Sequence, residues 1–239
     1  MNGIDILKIV GMVLLALLII PMLAAGLISA LTTRANTKLL SRFGERTPLI
    51  LGWFGVIVHE LSHALMAIIF RHQIDQIKLL QNPFSKDHNG RLGYVSHAWD
   101  PTSRYQTIGN FFIGMAPIFG VSLVMWLITK LLWPAIFELN QLGWRVLLTG
   151  SWWQILIWLY LVVNLTLALN MSDADWQNTR SGMLLYCLVL LVVGVILGIV
   201  NLSIAGLYTQ LVMPILIFYG TLLVVSSIMY LIATLLTRN

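Results

Sequence analysis

The sequence predicts an all-α polytopic membrane protein of about six transmembrane helices, with a β-hairpin inserted between the second and third. Three observations predict it. Apolar residues make up 59% of the 239-residue chain and charged residues only 10%, where a soluble domain carries about a quarter charged. Six apolar stretches of about 20 residues or more follow one another, the length a helix needs to cross a bilayer. One connection shows strand and turn chemistry instead of helical periodicity. With a mean hydropathy of +0.88, the chain has too little polar surface for water, and the lipid bilayer is its expected solvent. No polar block or internal repeat marks a boundary, so residues 1–239 are expected to form a single membrane-embedded domain.

The first stretch runs from about Ile4 to Leu31. It is too long and uninterrupted for a signal-peptide core and is expected to be a retained span. The second, Pro48 to Phe70, opens on a proline suited to the first turn of a helix. The third, Thr107 to Trp133, contains Pro117. That residue is expected to break the hydrogen-bond ladder, either opening a path for substrate or leaving a tolerated kink. The fourth runs from Trp144 to Met171, the fifth from Gly182 to Ser203 and the sixth from Tyr208 to Leu236. Gly194-x-x-x-Gly198 in the fifth is a close-packing face for another helix, from this chain or a second copy. Trp133, Trp144, Trp152, Trp153 and Trp176 lie near span ends, as interfacial anchors do. Cys187, the single cysteine, excludes an intramolecular disulfide.

The net charge of +5 arises from basic residues scattered among loops. That pattern suits anionic lipid headgroups and not a nucleic acid. The side carrying the termini and the hairpin has eight Lys or Arg, against six in the opposite loops. This slight excess favours a cytoplasmic hairpin and termini in a cell membrane.

The irregular connection is Arg71 to Gln106. Ile74–Leu80 reads as one strand and Arg91–His97 as a second, with turn chemistry at Asn82-Pro83 and Asn89-Gly90. A hairpin of this kind has free edges. It either recruits an extended peptide by backbone hydrogen bonds or plugs the mouth of a cavity.

The most specific feature lies in the second stretch, where His59-Glu60-Leu61-Ser62-His63 interrupts a run of apolar residues. Ionisable groups at membrane depth are costly and mark function. A chain of this length shows H-E-x-x-H by chance in roughly one case in a hundred. In a helix His59 and His63 stand at i and i+4, so both imidazoles leave one face a turn apart. That spacing suits two ligands of one tetrahedral Zn²⁺, with Glu60 placed to take a proton from water. Catalytic zinc takes a third protein ligand. The candidates are Asp175 and, as the alternative, Asp173, both in Ser172-Asp173-Ala174-Asp175. Ser172-x-x-Asp175 also reads as a capping box, which would orient Asp175 and favours it. His72, His88 and His97 are rival ligands from the connection. Asn164 and Asn170 are candidate oxyanion donors, and an interhelical hydrogen bond is the plainer role for Asn164.

An H-E-x-x-H on a membrane helix, a hairpin after it and an aspartate at the end of a later span resemble the site-2 protease family. The resemblance covers about residues 48–176, with the fifth and sixth spans at 182–236 beyond it. It implies an intramembrane zinc metalloprotease that cuts substrates within or beside their membrane spans. It further implies His59 and His63 as zinc ligands and Glu60 as general base, in a small variant without an appended PDZ-like or CBS domain. The family's aspartate usually stands in Asn-x-x-Pro-x-x-x-Leu-Asp-Gly. Here the prolines and Leu-Asp-Gly are missing, and a Ser-x-x-Asp variant of the motif would select Asp175. The implied partner is a membrane-protein substrate presented as an extended strand to the hairpin. Two other readings fit the cluster: a transporter or ion pathway relaying protons or metal ions, and a proteolytically inactive binder of membrane proteins.

Overall fold

A computed structural model describes residues 3–44, 46–81, 92–138, 143–200 and 203–238. Helix dominates. The elements are α1 (Gly3–Phe43), α2 (Thr47–Leu51), α3 (Trp53–Ile69), β1 (Gln73–Lys78), β2 (Tyr94–Ala98), α4 (Arg104–Leu132), α5 (Trp152–Leu167), α6 (Asp173–Ile199) and α7 (Ile204–Leu236). Short 3₁₀ turns at Pro134–Glu138 and Trp144–Leu148 lie between α4 and α5.

Among the described residues, four helices are long and apolar enough to cross a membrane: α1, α4, α6 and α7. They make this a membrane protein. Expected spans two and four are shorter than expected. The helices there, α3 and α5, have 17 and 16 residues, about 25 Å at 1.5 Å per residue, against a hydrocarbon core of about 30 Å. The physical reasons are local. Gly52 leaves helical geometry between α2 and α3, so the run from Pro48 is split. The residues at Trp144–Leu148 wind as a separate 3₁₀ turn. At the other end of α5, Ala168 N–H and Leu169 N–H bond back three residues to Leu165 and Thr166, which closes the helix early.

α4 is the central element and the most buried of the four long helices. It packs against α3, α5 and α6. Glycines bring it close to its neighbours. A Cβ on Gly120 would collide with Ser62 of α3, and one on Gly114 would collide with Thr179 Oγ1 of α6. Gly182 of α6 returns the fit, with a would-be Cβ 2.6 Å from the Thr107 carbonyl. Met115, Ile118 and Val121 of α4 carry the core together with Leu165 and Leu169. Tyr186 stacks on Phe111 at 4.2 Å between ring centres.

α1 divides its contacts. Its N-terminal half lies along α6 and its C-terminal half along α7. Between the halves runs a π-helical stretch, Leu15–Ile19, followed by Pro21. Proline has no N–H for the carbonyl four residues back, and the Tyr186 hydroxyl donates to that carbonyl, Leu17 O, at 3.1 Å. Gly194 and Gly198 pack within this chain, on Val10 and Ile6 of α1. Of the tryptophans, Trp144, Trp152 and Trp153 are exposed as expected of anchors. Trp176 instead packs against the core, because the first turn of α6 is wedged beside α1.

α3 ends in a Schellman arrangement. His72 N–H bonds to Ala67 O and Arg71 N–H to Ile68 O, with Arg71 in the left-handed region at φ 57°. This is the position usually given to glycine. The chain turns there directly into β1, which pairs antiparallel with β2 in the register Ile77↔Val95, with an irregularity between Ile74 and Gln76. The expected hairpin is therefore present, its strands shifted by a few residues. The expected turns Asn82-Pro83 and Asn89-Gly90 lie outside the described residues, as does His88.

Candidate metal centre

The site starts from the helical spacing in α3. His59 and His63 leave one face with Nε2 atoms 3.1 Å apart and ring planes 67° from each other. Each ring is fixed from behind. His59 Nδ1 lies 2.8 Å from the Ala168 carbonyl and His63 Nδ1 lies 2.8 Å from the Ile113 carbonyl. A carbonyl only accepts, so both Nδ1 atoms carry the proton and donate. In their neutral form both imidazoles then turn Nε2 lone pairs toward the same point.

Asp175 supplies the third group, and its position comes from helix capping. Ser172 Oγ accepts from Asp175 N–H at 3.2 Å and Asp175 Oδ2 accepts from Ser172 N–H at 2.7 Å, a complete capping box at the start of α6. The second carboxylate oxygen, Oδ1, lies 3.1 Å from His63 Nε2, and Oδ2 lies 3.8 Å from His59 Nε2. The ligand atoms of His59, His63 and Asp175 all fall within 4.8 Å of one another.

The donor set fits a cation. Two imidazole lone pairs and a carboxylate at this separation repel unless positive charge sits among them. A proton bridges two such groups, whereas three converging donors suit a metal ion. A tetrahedral site with bonds of about 2.0–2.1 Å has edges of about 3.3 Å; two of the separations here are 3.1 Å and the third, His59 Nε2 to Asp175 Oδ2, is wider at 3.8 Å.

Glu60 follows His59 on α3 and is buried. It lines the same cavity of about 370 Å³ as the three candidate ligand residues. The cavity also has polar walls in Asn36, Thr47, Asn170 and Asn178. Its roof is the hairpin, through residues 92–95 and His97. Gly93 comes so close that an added Cβ would lie 2.7 Å from Glu60 Cγ. Among the described residues β2 pairs only with β1, so its other edge is open.

The structure sorts the remaining expected residues. Asp173 is exposed and outside the cluster. Asn170 lines the cavity. Asn164 does not. It is fully buried, donates to the Tyr160 carbonyl at 3.0 Å, and its backbone presses on Gly55 of α3. Pro117 is buried in α4 and is absent from the cavity wall. His72 and His97 pair with each other and not with the cluster. His72 Nε2–H donates to Gln106 O at 3.0 Å, so His72 Nδ1 accepts from His97 Nδ1–H at 3.1 Å. His97 Nε2 is then left to accept from the Asn178 amide at 3.4 Å. Burial, and next the neighbouring His72 and His63, push His97 down to about 4, against the opposing pull of Asp75. Burial also lowers His72.

Sequence reasoning missed Gly93, Asn36, Asn178 and the two carbonyls that hold the histidines. One signal was present. Gly55 stands four residues before His59, on the same helical face, and a Cβ there would lie 2.7 Å from Ala168 Cβ, beside the carbonyl that His59 uses. Gly93 and Asn36 carry no such signal, because only the packed chain brings them near Glu60 and the cavity.

Comparison with family models, curated proteins and solved structures finds no match to this chain.

Proposed function

We propose that this chain is an intramembrane zinc metalloprotease of site-2 protease type, hydrolysing peptide bonds within or next to the membrane spans of substrate proteins. One observation carries the reading: His59, His63 and Asp175 converge at one point of a polar cavity that Glu60 also lines. Two imidazoles and a carboxylate are a donor set that suits zinc and leaves a fourth position open. When bound, zinc supplies the positive charge that acidifies water and polarises a carbonyl.

The chain's own groups do the rest. The carbonyls of Ala168 and Ile113 hold the imidazoles in the tautomer that ligates. Asn36, Thr47, Asn170 and Asn178 give water a polar cavity among apolar helices. The Glu60 carboxylate takes the proton of the attacking water and returns it to the leaving amine nitrogen. Asn170, on the cavity wall, is the candidate donor to the developing oxyanion. The substrate enters as an extended strand on the open edge of β2, held by backbone hydrogen bonds. Tyr94, Val95 and His97 of β2 line the cavity together with Glu60, so a strand added to β2 would run near that carboxylate. The slight excess of basic residues on the hairpin side supports an orientation with the hairpin and termini in the cytoplasm.

Glu60→Gln tests the proposal in liposomes containing a single-span test substrate. The expected result is wild-type zinc content with cleavage lost. Cleavage retained by Glu60→Gln refutes the assigned base. A wild-type protein that moves zinc or protons across the liposome, and cuts no test substrate, replaces the protease reading with an ion pathway.

A further inference from the structure

We infer that Pro117 is the positioning residue for His63, acting through the carbonyl of Ile113. The inference rests on the metal-centre reading and extends it to a residue absent from the cavity wall.

One backbone hydrogen bond of α4 cannot form. α4 runs unbroken from Arg104 to Leu132 with Pro117 inside it. In an α-helix the N–H of residue 117 bonds the carbonyl of residue 113. Proline has no N–H, so Ile113 O loses its helical partner. Ile113 is fully buried, and an unpartnered buried carbonyl costs free energy. His63 Nδ1–H fills that place at 2.8 Å. The bond has two effects. It keeps the proton on Nδ1, so the Nε2 lone pair faces the ligand cluster. It also fixes the ring, buried against α4, toward Asp175.

His59 reaches the same end by another route. Its Nδ1–H donates to Ala168 O, a carbonyl just past the end of α5. Carbonyls at a helix C-terminus lack intrahelical partners. The two ligands are thus held by two vacated carbonyls, one left by a helix end and one by a proline. Pro117 serves here as the source of an acceptor and not as a gate for substrate, since it is absent from the cavity wall.

The molecule contains a built-in comparison. Pro21 interrupts the ladder of α1 just after the π-helical stretch, and the Tyr186 hydroxyl donates to Leu17 O within that stretch. That site uses the same backbone chemistry for helix packing, with no metal ligand involved.

The test is zinc titration of the metal-free, detergent-purified protein against a chromophoric chelator, for wild type, Pro117→Ala and Pro21→Ala. Alanine at 117 restores an N–H that competes with His63 for Ile113 O. Pro117→Ala is expected to bind zinc about tenfold more weakly, as for other partners of ligating histidines, while its melting temperature holds or rises. Pro21→Ala should bind zinc as wild type does. Nitrogen NMR of the histidine-labelled, metal-free protein gives a second reading: Pro117→Ala should raise the share of His63 protonated on Nε2. Unchanged zinc affinity with an unchanged His63 spectrum overturns the inference and leaves the metal centre standing. Equal weakening by Pro21→Ala reduces Pro117 to a general structural role. If wild type binds no zinc, the metal reading falls, and the His63 spectrum alone decides this one.

Discussion

Gly114→Ala should detach the third ligand without touching it. Gly114 of α4 faces the first turns of α6, where a Cβ would collide with Thr179 Oγ1 and the Asp175 carbonyl. It would also sit 2.6 Å from Thr179 N, about 0.8 Å short of the 3.4 Å at which ordinary contact begins. Backbone atoms cannot swing aside, so the two helices must part by roughly 1 Å, at an overpacking cost of about 1–3 kcal/mol. Asp175 rides on α6. Its 3.1 Å separation from His63 Nε2 opens to about 4 Å and its 3.8 Å separation from His59 Nε2 widens as well, so that both exceed the edge of about 3.3 Å of a tetrahedral site. The expected result is a lower melting temperature and a zinc affinity reduced about 10- to 100-fold, the range seen when supports of a metal site are disturbed. Elemental analysis after dialysis at graded free zinc reads the affinity. Gly220→Ala is the control, since a Cβ there meets nothing within 4 Å. A Gly114→Ala protein with wild-type stability and wild-type zinc would refute the claim that this helix contact sets the ligand.

Asp175→Ala should abolish stoichiometric zinc and also lose the bond from Ser172 N–H to the carboxylate, one half of the capping box, whereas Asp173→Ala should keep both. Elemental analysis and thermal melting of the two variants check this, and equal zinc content in both would remove Asp175 as a ligand. Gly93→Ala places a Cβ 2.7 Å from Glu60 Cγ and 2.9 Å from Leu79 O. It should lift the hairpin, cut turnover of the test substrate and leave zinc content unchanged. His97 titrates near 6.5 in the unfolded chain and at about 4 in the folded one. Between those values the unfolded chain binds the extra proton, so hairpin stability falls as pH drops from about 6.5 toward 4. Amide exchange of residues 94–98 should accelerate over that window after correction for intrinsic rates, and His97→Gln should flatten the dependence.

Much of the architecture was legible because its signals are local. Apolar run length located the four long helices, and the alternation around Ile74–Leu80 located a strand. The same signal failed at spans two and four. Hydropathy does not register that Gly52 splits a run or that a helix closes at Ala168, since neither changes the apolar content. The pairing of His59 with His63 followed from helical spacing. Ser172-x-x-Asp175 was readable as a cap, and the cap is what aims Asp175. Asn164 was readable as a polar residue in an apolar span, but whether its amide met the cavity or the Tyr160 carbonyl depended on the angle of α5.

Chain-local chemistry by itself determined the membrane setting, the helical class, the two histidines on one face and the helix cap that carries an aspartate. The last two depend on neighbours within about four residues, and the first two on apolar content along runs of about 20. Tertiary structure alone decided that α6 stands one glycine-width from α4, that Asp175, which the cap already favoured over Asp173, reaches the histidines, and that Gly93 closes over Glu60. It also decided which carbonyls face the imidazoles: His63 meets Ile113 from 50 positions away and His59 meets Ala168 from 109. Contacts at such separation are set by how helices pack, and no periodicity within a single helix encodes them.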